Sequence, residues 1–381
     1  MAAVISPLVV FNAHLVSGAA SYRSAGISSY IVNLLRQIPS AGGELRYTVL
    51  LGSGRLSSDV RLPLQRSRWP TSQPLARILW EQTALPWSLR RSQAALLHAP
   101  AFVGPWLSPC PQVITVHDLS FIHYPAFFRR SRRWYLRWMT GLTCRRAAAV
   151  IAVSHFTARE VTALLGVPAE RVHVIYHGVE PRFCPLPPED VARFRREQGL
   201  PERFILHLGT LEPRKNVVTL VRAFAQLQAS DMHLVLAGGK GWLYDEIFAE
   251  VERLGLRERV HFPGYVPAET QALWYNAAEV FAYLSHYEGF GLPVLEALAC
   301  GTPTLTGNTT ALPETAGDGA LTVATDDVTA VEEGLHRLLT DTVLRERLRQ
   351  QGLAHAAHFT WEKTARQTVG LYRRILALEE D

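Results

Sequence analysis

The chain lacks the signatures of several common chemistries. No GxxxxGK[ST] phosphate loop and no GxGxxG fingerprint occurs, which argues against a P-loop kinase and a standard dinucleotide enzyme. No Asp-x-Asp and no His/Cys cluster at metal-ligand spacing is present, so no bound metal is expected. Cysteine is scarce: Cys110, Cys144, Cys184 and Cys300 stand far apart and form no CxxC pair. That pattern is expected of reduced thiols in a cytosolic protein without structural zinc. No uncharged apolar run reaches about 18 residues, so no membrane-spanning helix is expected. Met1–Val10 has no basic stretch and runs straight into an apolar strand pattern, so no secretory signal is expected.

What is present describes a large folded chain. Its 381 residues, 48% hydrophobic and 19% charged, suit two globular domains with sizeable cores. The net charge of +5 hides an asymmetry. Residues 1–182 carry 20 Arg, no Lys and 7 acidic residues, a balance of +13, and the remainder has a balance of −8. A basic half implies an anionic partner such as phosphate, nucleic acid or an acidic membrane surface. With 36 of 39 basic residues being Arg, a coding bias also contributes to the composition.

Short apolar runs alternate with helical patterns. In the first half, strands are predicted at Pro7–Ala13, Tyr47–Leu51, Ala94–His98, Gln112–Val116, Ala148–Val153 and Val172–Tyr176. In the second they are predicted at Phe204–Leu208, His233–Ala237, Arg259–Phe262, Val280–Tyr283 and Pro303–Thr306. Helices are predicted at Ile27–Ile38 and from Asn216, with Val217, Leu220, Val221, Phe224 and Leu227 on one face. Alternation of this kind argues for parallel sheets covered on both faces. The stretch from Glu180 to Glu189 has four prolines in ten residues and reads as a break. The expected organisation is a first domain 1–180, a linker 181–200, a second domain 201–358 and a final helix within 359–381. Two doubly wound domains joined in this way are expected to face each other across a cleft, with ligands beyond the carboxyl ends of the strands.

Two segments concentrate the chemistry. In Tyr287-Glu288-Gly289-Phe290-Gly291-Leu292-Pro293-Val294-Leu295-Glu296, two glycines let backbone approach a ligand and Pro293 suits a first helical turn. The helix start offers N–H groups to a phosphate. Glu288 in the loop and Glu296 one turn into the helix are candidate acceptors for the hydroxyls of one polyhydroxylated ligand. In His207-Leu208-Gly209-Thr210-Leu211-Glu212-Pro213-Arg214-Lys215-Asn216, a strand ends at Gly209 and two adjacent cations precede a helix, where a diphosphate needs them. Ordinary strand–turn–helix units with solvated side chains are the bland alternative for both.

Together the two segments resemble the retaining, nucleotide-sugar-dependent glycosyltransferases of family 4, which have the GT-B architecture of two Rossmann-like domains. The resemblance spans nearly the whole chain: Ser24-Ala-Gly-Ile-Ser-Ser-Tyr30, Val116-His117-Asp118-Leu119, Val153-Ser154-His155-Phe156, Val174-Ile-Tyr-His-Gly-Val179 and Phe359-Thr-Trp-Glu362 match its other landmarks. His177 and Glu180 depart from the usual Asn and Asp there. The resemblance implies that residues 1–180 bind the acceptor, that residues 201–358 bind the nucleotide sugar and that the final helix within 359–381 crosses back to the first domain. It implies that Arg214 and Lys215 hold the donor diphosphate, Glu288 the donor sugar and Glu296 the ribose. Backbone N–H groups from Gly289 through Phe290 and Gly291 to Leu292 would line sugar and phosphate. Gly209 would end the strand beneath them, and Gly264, Tyr265 and Val266 would border the base. His117 would reach the sugar from the first domain, and Gly26 would bring the first helix close to the phosphate. It implies no cofactor, since the nucleoside diphosphate sugar is a substrate, and front-face attack with the leaving diphosphate taking the proton. The pattern looks most like bacterial mannosyl- or rhamnosyltransferases of surface-polysaccharide assembly.

The predicted helix Phe127–Arg146 carries Arg129, Arg130, Arg132, Arg133 and Arg137 interleaved with Trp134, Tyr135 and Trp138, and no acidic residue. That chemistry suits an anionic membrane surface or a lipid-linked acceptor, and a cytoplasmic protein peripheral on the membrane. A solvated basic face is the alternative, and nucleic acid is not expected. Three rival functions stay open: a sugar-phosphate or glucan synthase of the same fold, an inactive nucleotide-sugar-binding partner, and a nucleic-acid binder.

Overall fold

In this computed structural model the described residues are 6–378 except 17–24, 53, 57 and 126–129. The chain divides into two compact units, Met1–Gly178 with Trp361–Asp381, and Val179–Thr360. The first unit holds β1 (Leu8–Asn12), β2 (Arg46–Leu51), β3 (Leu64–Arg66), β4 (Leu96–Ala99), β5 (Gln112–Val116), β6 (Ala149–Ala152) and β7 (Val172–Val174). They form one sheet in the order β3-β2-β1-β4-β5-β6-β7. The second unit holds β8 (Phe204–Leu208), β9 (His233–Ala237), β10 (Val260–Gly264), β11 (Val280–Tyr283), β12 (Thr304–Gly307) and β13 (Leu321–Val323), in the order β10-β9-β8-β11-β12-β13. Neighbouring strands pair in parallel, with Val9 opposite both Tyr47 and Leu96, and Phe281 opposite both Leu206 and Thr304.

The central strands of both sheets, such as β5, β8 and β11, are buried on both faces, which is why their sequences read as continuous apolar runs. In the second unit, Val217, Leu220, Val221 and Phe224 of the helix Val217–Gln226 pack on Ile205, Leu234 and Val280. Burying each such side chain contributes about 1.5–3 kcal/mol. In the first, Tyr30, Ile31, Leu34 and Leu35 of the helix Ala25–Ala41 share a core with Val9, Phe11, Val49 and Leu51. Trp361, Ala365, Val369 and Tyr372 of the final helix, Trp361–Ile375, complete that core. The Tyr372 hydroxyl also bonds His98 Nδ1 at 2.6 Å.

One expectation changes. The stretch 181–200 is not a free linker: it lies in the second unit, and Pro188–Gln198 is a helix. Pro188 sits in its first turn, where a missing N–H costs nothing. Glu189 and Asp190 occupy the positive end, Arg195 and Arg196 the negative end, and Gly199 closes it at φ 60°. The prolines start the helix rather than forbid it. Phe194 then anchors it against Trp274, ring centroids 5.5 Å apart.

Each sheet reverses its strand order once, between β1 and β4 and between β8 and β11. The carboxyl ends flanking such a reversal are where doubly wound sheets bind ligands.

Candidate active site

The loops after β8 and β11 meet at the reversal of the second sheet. Gly209 follows β8 and Gly238 follows β9; an added Cβ on Gly238 would lie 1.8 Å from the Gly209 carbonyl oxygen, so the neighbouring turns close only over glycine. A single helical turn, Pro213–Lys215, then presents two cations, and Asn216 at φ 53° leads into the next helix. The loop after β11 is tied to it: Ser285 Oγ and the His286 N–H donate to the Arg214 carbonyl at 3.0 and 2.9 Å.

Lys215, Arg214 and Glu288 come together there. Lys215 Nζ donates to Glu288 Oε1 at 2.5 Å and to the Tyr283 hydroxyl at 2.6 Å. That hydroxyl donates onward to the same carboxylate oxygen at 3.0 Å. Arg214 Nη1 donates to the Tyr287 carbonyl at 2.8 Å and stands 3.4 Å from Glu288 Oε1. Its Nε and Nη2 both donate to Glu212 Oε1, at 3.1 and 2.8 Å, and Trp242 Nε1 donates to Glu212 Oε2 at 3.2 Å. Burial works against the Glu288 carboxylate, but Lys215 and Arg214 outweigh it and hold its pKa at about 2. Burial, with Arg214 beside it, lowers that of Lys215, against the pull of Glu288 and Glu212. Two cations and two carboxylates thus neutralise one another. An incoming diphosphate would bind by taking over the N–H bonds that the carboxylates now hold.

Glu296 is placed differently. It lies in the helix Leu292–Ala299, entered through Gly291 at φ 103° with Pro293 in its first turn. Its Oε2 accepts from the Tyr275 hydroxyl at 2.9 Å. Burial raises its carboxyl to about 7, although the Tyr275 bond and Arg182 pull the other way. Gly289, Phe290 and Gly291 are buried and Leu292 half-buried. The Phe290 carbonyl is fixed by Thr315 Oγ1, and the Glu288 N–H donates to Thr310 Oγ1 at 3.2 Å. Gly264 ends β10 at φ 82°, with Tyr265 exposed and Val266 buried beyond it.

In the first unit, His117 follows β5. Its Nε2–H donates to the Pro100 carbonyl at 2.8 Å, and its ring stacks on His177 at 5.5 Å. Burial lowers its pKa, so it is neutral with Nδ1 as an acceptor. Gly26 is exposed near the start of its helix, and an added Cβ would meet nothing within 4 Å. Steric closeness therefore does not explain that glycine. The arginine-rich helix is described over Arg130–Arg146, and Arg129 lies outside the described residues. Arg130 and Arg137 are exposed and Arg133 half-buried. Trp134 and Trp138, one turn apart, are 65% and 70% exposed. Trp69, Trp87 and Trp106 of the same unit are exposed too. No helix among the described residues is long and apolar enough to cross a membrane. No three His, Cys, Asp or Glu side chains among them converge as a metal site.

Sequence reasoning missed Tyr283, Glu212, His207 and the exposed tryptophans outside the arginine-rich helix. Tyr283 reads as one more apolar strand residue, though a tyrosine closing a buried strand signals a hydroxyl that needs a partner. His207 lies beneath it, its ring stacked on Tyr283 at 5.7 Å, with Nδ1–H donating to the Ala282 carbonyl at 3.2 Å.

Two family models and several known proteins match the chain. Residues 190–355 match the family model for glycosyl transferases group 1, and residues 24–183 that for glycosyltransferase family 4. The chain is 34% identical over 292 residues to O-antigen chain mannosyltransferase B of Escherichia coli, covering 75% of this chain and 76% of that protein. It is 29% identical to a D-inositol 3-phosphate glycosyltransferase of Acidothermus cellulolyticus, over 93% of this chain and 86% of the other. Among solved structures it resembles sucrose-phosphate synthase from Thermosynechococcus elongatus, with TM-score 0.77 and 22% identity, over 97% of this chain and 99% of the other. Anabaena HepE in complex with UDP and glucose gives TM-score 0.75 and 19% identity, over 96% and 98%.

Proposed function

The chain belongs to family 4 of the glycosyltransferases and has the GT-B fold; from that premise we propose that it transfers a hexose with retention of configuration from a nucleoside diphosphate to a glycan or lipid-linked acceptor. Mannose is the proposed sugar, which the likeness to an O-antigen mannosyltransferase supports, and GDP-mannose is the first donor to test. The observation that carries the reading is the convergence of Arg214 and Lys215 on Glu288 where the second sheet reverses.

In this reading the two cations shift from carboxylate to diphosphate as the donor binds. They then stabilise charge on the leaving group, and no metal or cofactor takes part. Glu288, released from Lys215 but still held by Tyr283, accepts hydroxyl hydrogen bonds from the donor sugar. Glu296 holds the ribose. The acceptor hydroxyl attacks from the face the diphosphate leaves, and a diphosphate oxygen takes its proton. The protein works in the cytoplasm, peripheral on an anionic membrane through its basic helix and exposed tryptophans, side chains suited to the lipid–water boundary.

A thermal-shift panel of GDP-, UDP-, ADP- and CMP-sugars tests the reading. A true donor at 100 times its dissociation constant stabilises the fold by about 2.7 kcal/mol. GDP-mannose is expected to give the largest shift. A larger shift from another sugar nucleotide replaces the donor, and no shift from any sinks the function.

A further inference from the structure

A groove runs along the open edge of the first sheet. β7 is the last strand there and pairs only with β6. In the helix His155–Leu165, Val161 and Leu165 pack with Ile114 and Val150. In the final helix, Val369 and Tyr372 pack with Val113 and Ile151. Successive strand residues point to opposite faces, so the two helices cover opposite sides of the sheet. Between them lies a cavity of about 800 Å³, floored by Val172–Val174 and walled by Ala163 of one helix and Gly370 of the other.

The edge is chemically open. The Ile175 N–H donates to the Ala152 carbonyl of β6 at 3.0 Å. Backbone groups alternate along a strand, so Val172 and Val174 turn theirs away from β6. The Val172 N–H is taken by the Ala169 carbonyl. The Val172 C=O and both backbone groups of Val174 have no protein partner among the described residues. Such an edge is a template for another strand. Its charge is of one sign: His155, Arg159, His173 and Arg374 line the groove, and no Asp or Glu does. Arg159 and Arg374 are exposed, and neither forms an ion pair among the described residues. Burial, and then Arg374, lowers the pKa of His173. Gly370 keeps the wall low. A glycine inside a helix costs about 0.5–1 kcal/mol relative to Ala, yet an added Cβ there would meet nothing within 4 Å.

We propose that this edge docks an extended acidic segment of a partner protein, added as a further strand beside β7. In an antiparallel addition, one residue of the segment exchanges both backbone bonds with Val174 and another donates to the Val172 carbonyl. Carboxylates on its two faces reach Arg159 and Arg374. A lipid chain would leave the backbone groups unpaired, and a second copy of this chain would bring like charges together. The surface belongs to the first unit alone and is independent of the glycosyltransferase reading.

The test is fluorescence anisotropy on the whole protein. The probe is a labelled octapeptide, Val-Glu-Glu-Val-Val-Glu-Glu-Val, with two further forms N-methylated on the odd or the even residues. Because N–H groups alternate along a strand, one methylated form should lose about tenfold or more in affinity and the other keep it. Arg159→Gln with Arg374→Gln should weaken binding about tenfold and flatten its salt dependence. Gly370→Leu fills the groove and should abolish binding while melting no lower than wild type, since a helix favours Leu over Gly. No binding up to about 1 mM, or equal affinities for the three peptides, would overturn the proposal. Unchanged binding in Gly370→Leu would do the same. A dimer in sedimentation that Gly370→Leu dissociates would overturn it in favour of a second copy. Retention on anionic vesicles that the paired arginine variant loses, without peptide binding, would overturn it in favour of lipid.

Discussion

Polar side chains beyond the carboxyl ends of the two sheets are held in opposite ways. In the second unit four charges, Glu212, Arg214, Lys215 and Glu288, lie in a matched set with every ion within 3.4 Å of an opposite one. In the first, His14 and Thr71 are neutral, buried and unpartnered. The difference follows from the cost of leaving each kind of group alone. An unpaired buried ion costs far more than an unpaired hydroxyl or imidazole. A site for a charged ligand must therefore carry its own counter-charges and appears satisfied when empty.

The sharpest way to break the comparison is to change charge at constant shape. Glu288→Gln should lower kcat by roughly 2–3 kcal/mol in barrier terms, because a charge-assisted acceptor is lost as the sugar becomes cationic. Steady-state kinetics should show the loss mainly in kcat. A loss confined to KM contradicts the role. Lys215→Ala or Arg214→Ala should cost at least about tenfold in turnover. Lys215→Ala also leaves Glu288 facing one cation and should lower stability by about 3 kcal/mol in denaturant titration, the low end for a broken buried pair. Near-normal turnover in both variants would remove the diphosphate assignment.

Glu296 gives a smaller effect with a defined pH dependence. Burial raises its carboxyl to about 7, partly offset by Tyr275 and Arg182, while Glu288 at about 2 stays ionised throughout. An ionised Glu296 is the better acceptor for a ribose hydroxyl. Affinity for the bare nucleoside diphosphate should therefore rise between about pH 6 and pH 8. Glu296→Gln should weaken binding and flatten that rise. A slope unchanged in the variant would assign the titration elsewhere.

Legibility in the sequence followed burial. Phe204–Leu208, His233–Ala237, Val280–Tyr283 and Gln112–Val116 could be bounded from apolar runs alone, because each is a strand buried on both faces. Leu64–Arg66 and Leu321–Val323 were invisible: three-residue edge strands, the first wholly exposed, carry no apolar run. Pro293 and Gly291 announced the helix that carries Glu296, since each residue type answers a local backbone demand. What depends on distant contact was not readable. Asn12 and Glu81 are 69 residues apart, and Lys215 meets Glu288 across 73 residues of chain. The proline-rich stretch 181–200 misled because proline forbids a helix interior but favours a helix start.

The smallest effect concerns the basic helix. Replacing Arg129, Arg130, Arg132 and Arg133 by Gln should reduce retention on vesicles containing anionic lipid, and added salt should do the same to wild type. Equal recovery on neutral and anionic vesicles would leave the helix as a solvated face. Exposed Trp134 and Trp138 should keep some salt-resistant binding.

The central claim is that Lys215 leaves Glu288 for the donor's diphosphate. Isothermal titration of wild type and Lys215→Ala, with GDP and with guanosine, tests it most directly. The account predicts at least about a tenfold loss of affinity for GDP in the variant and none for guanosine, since only the former carries the charges Lys215 exchanges. Equal losses for both ligands, or no loss for GDP, would contradict it.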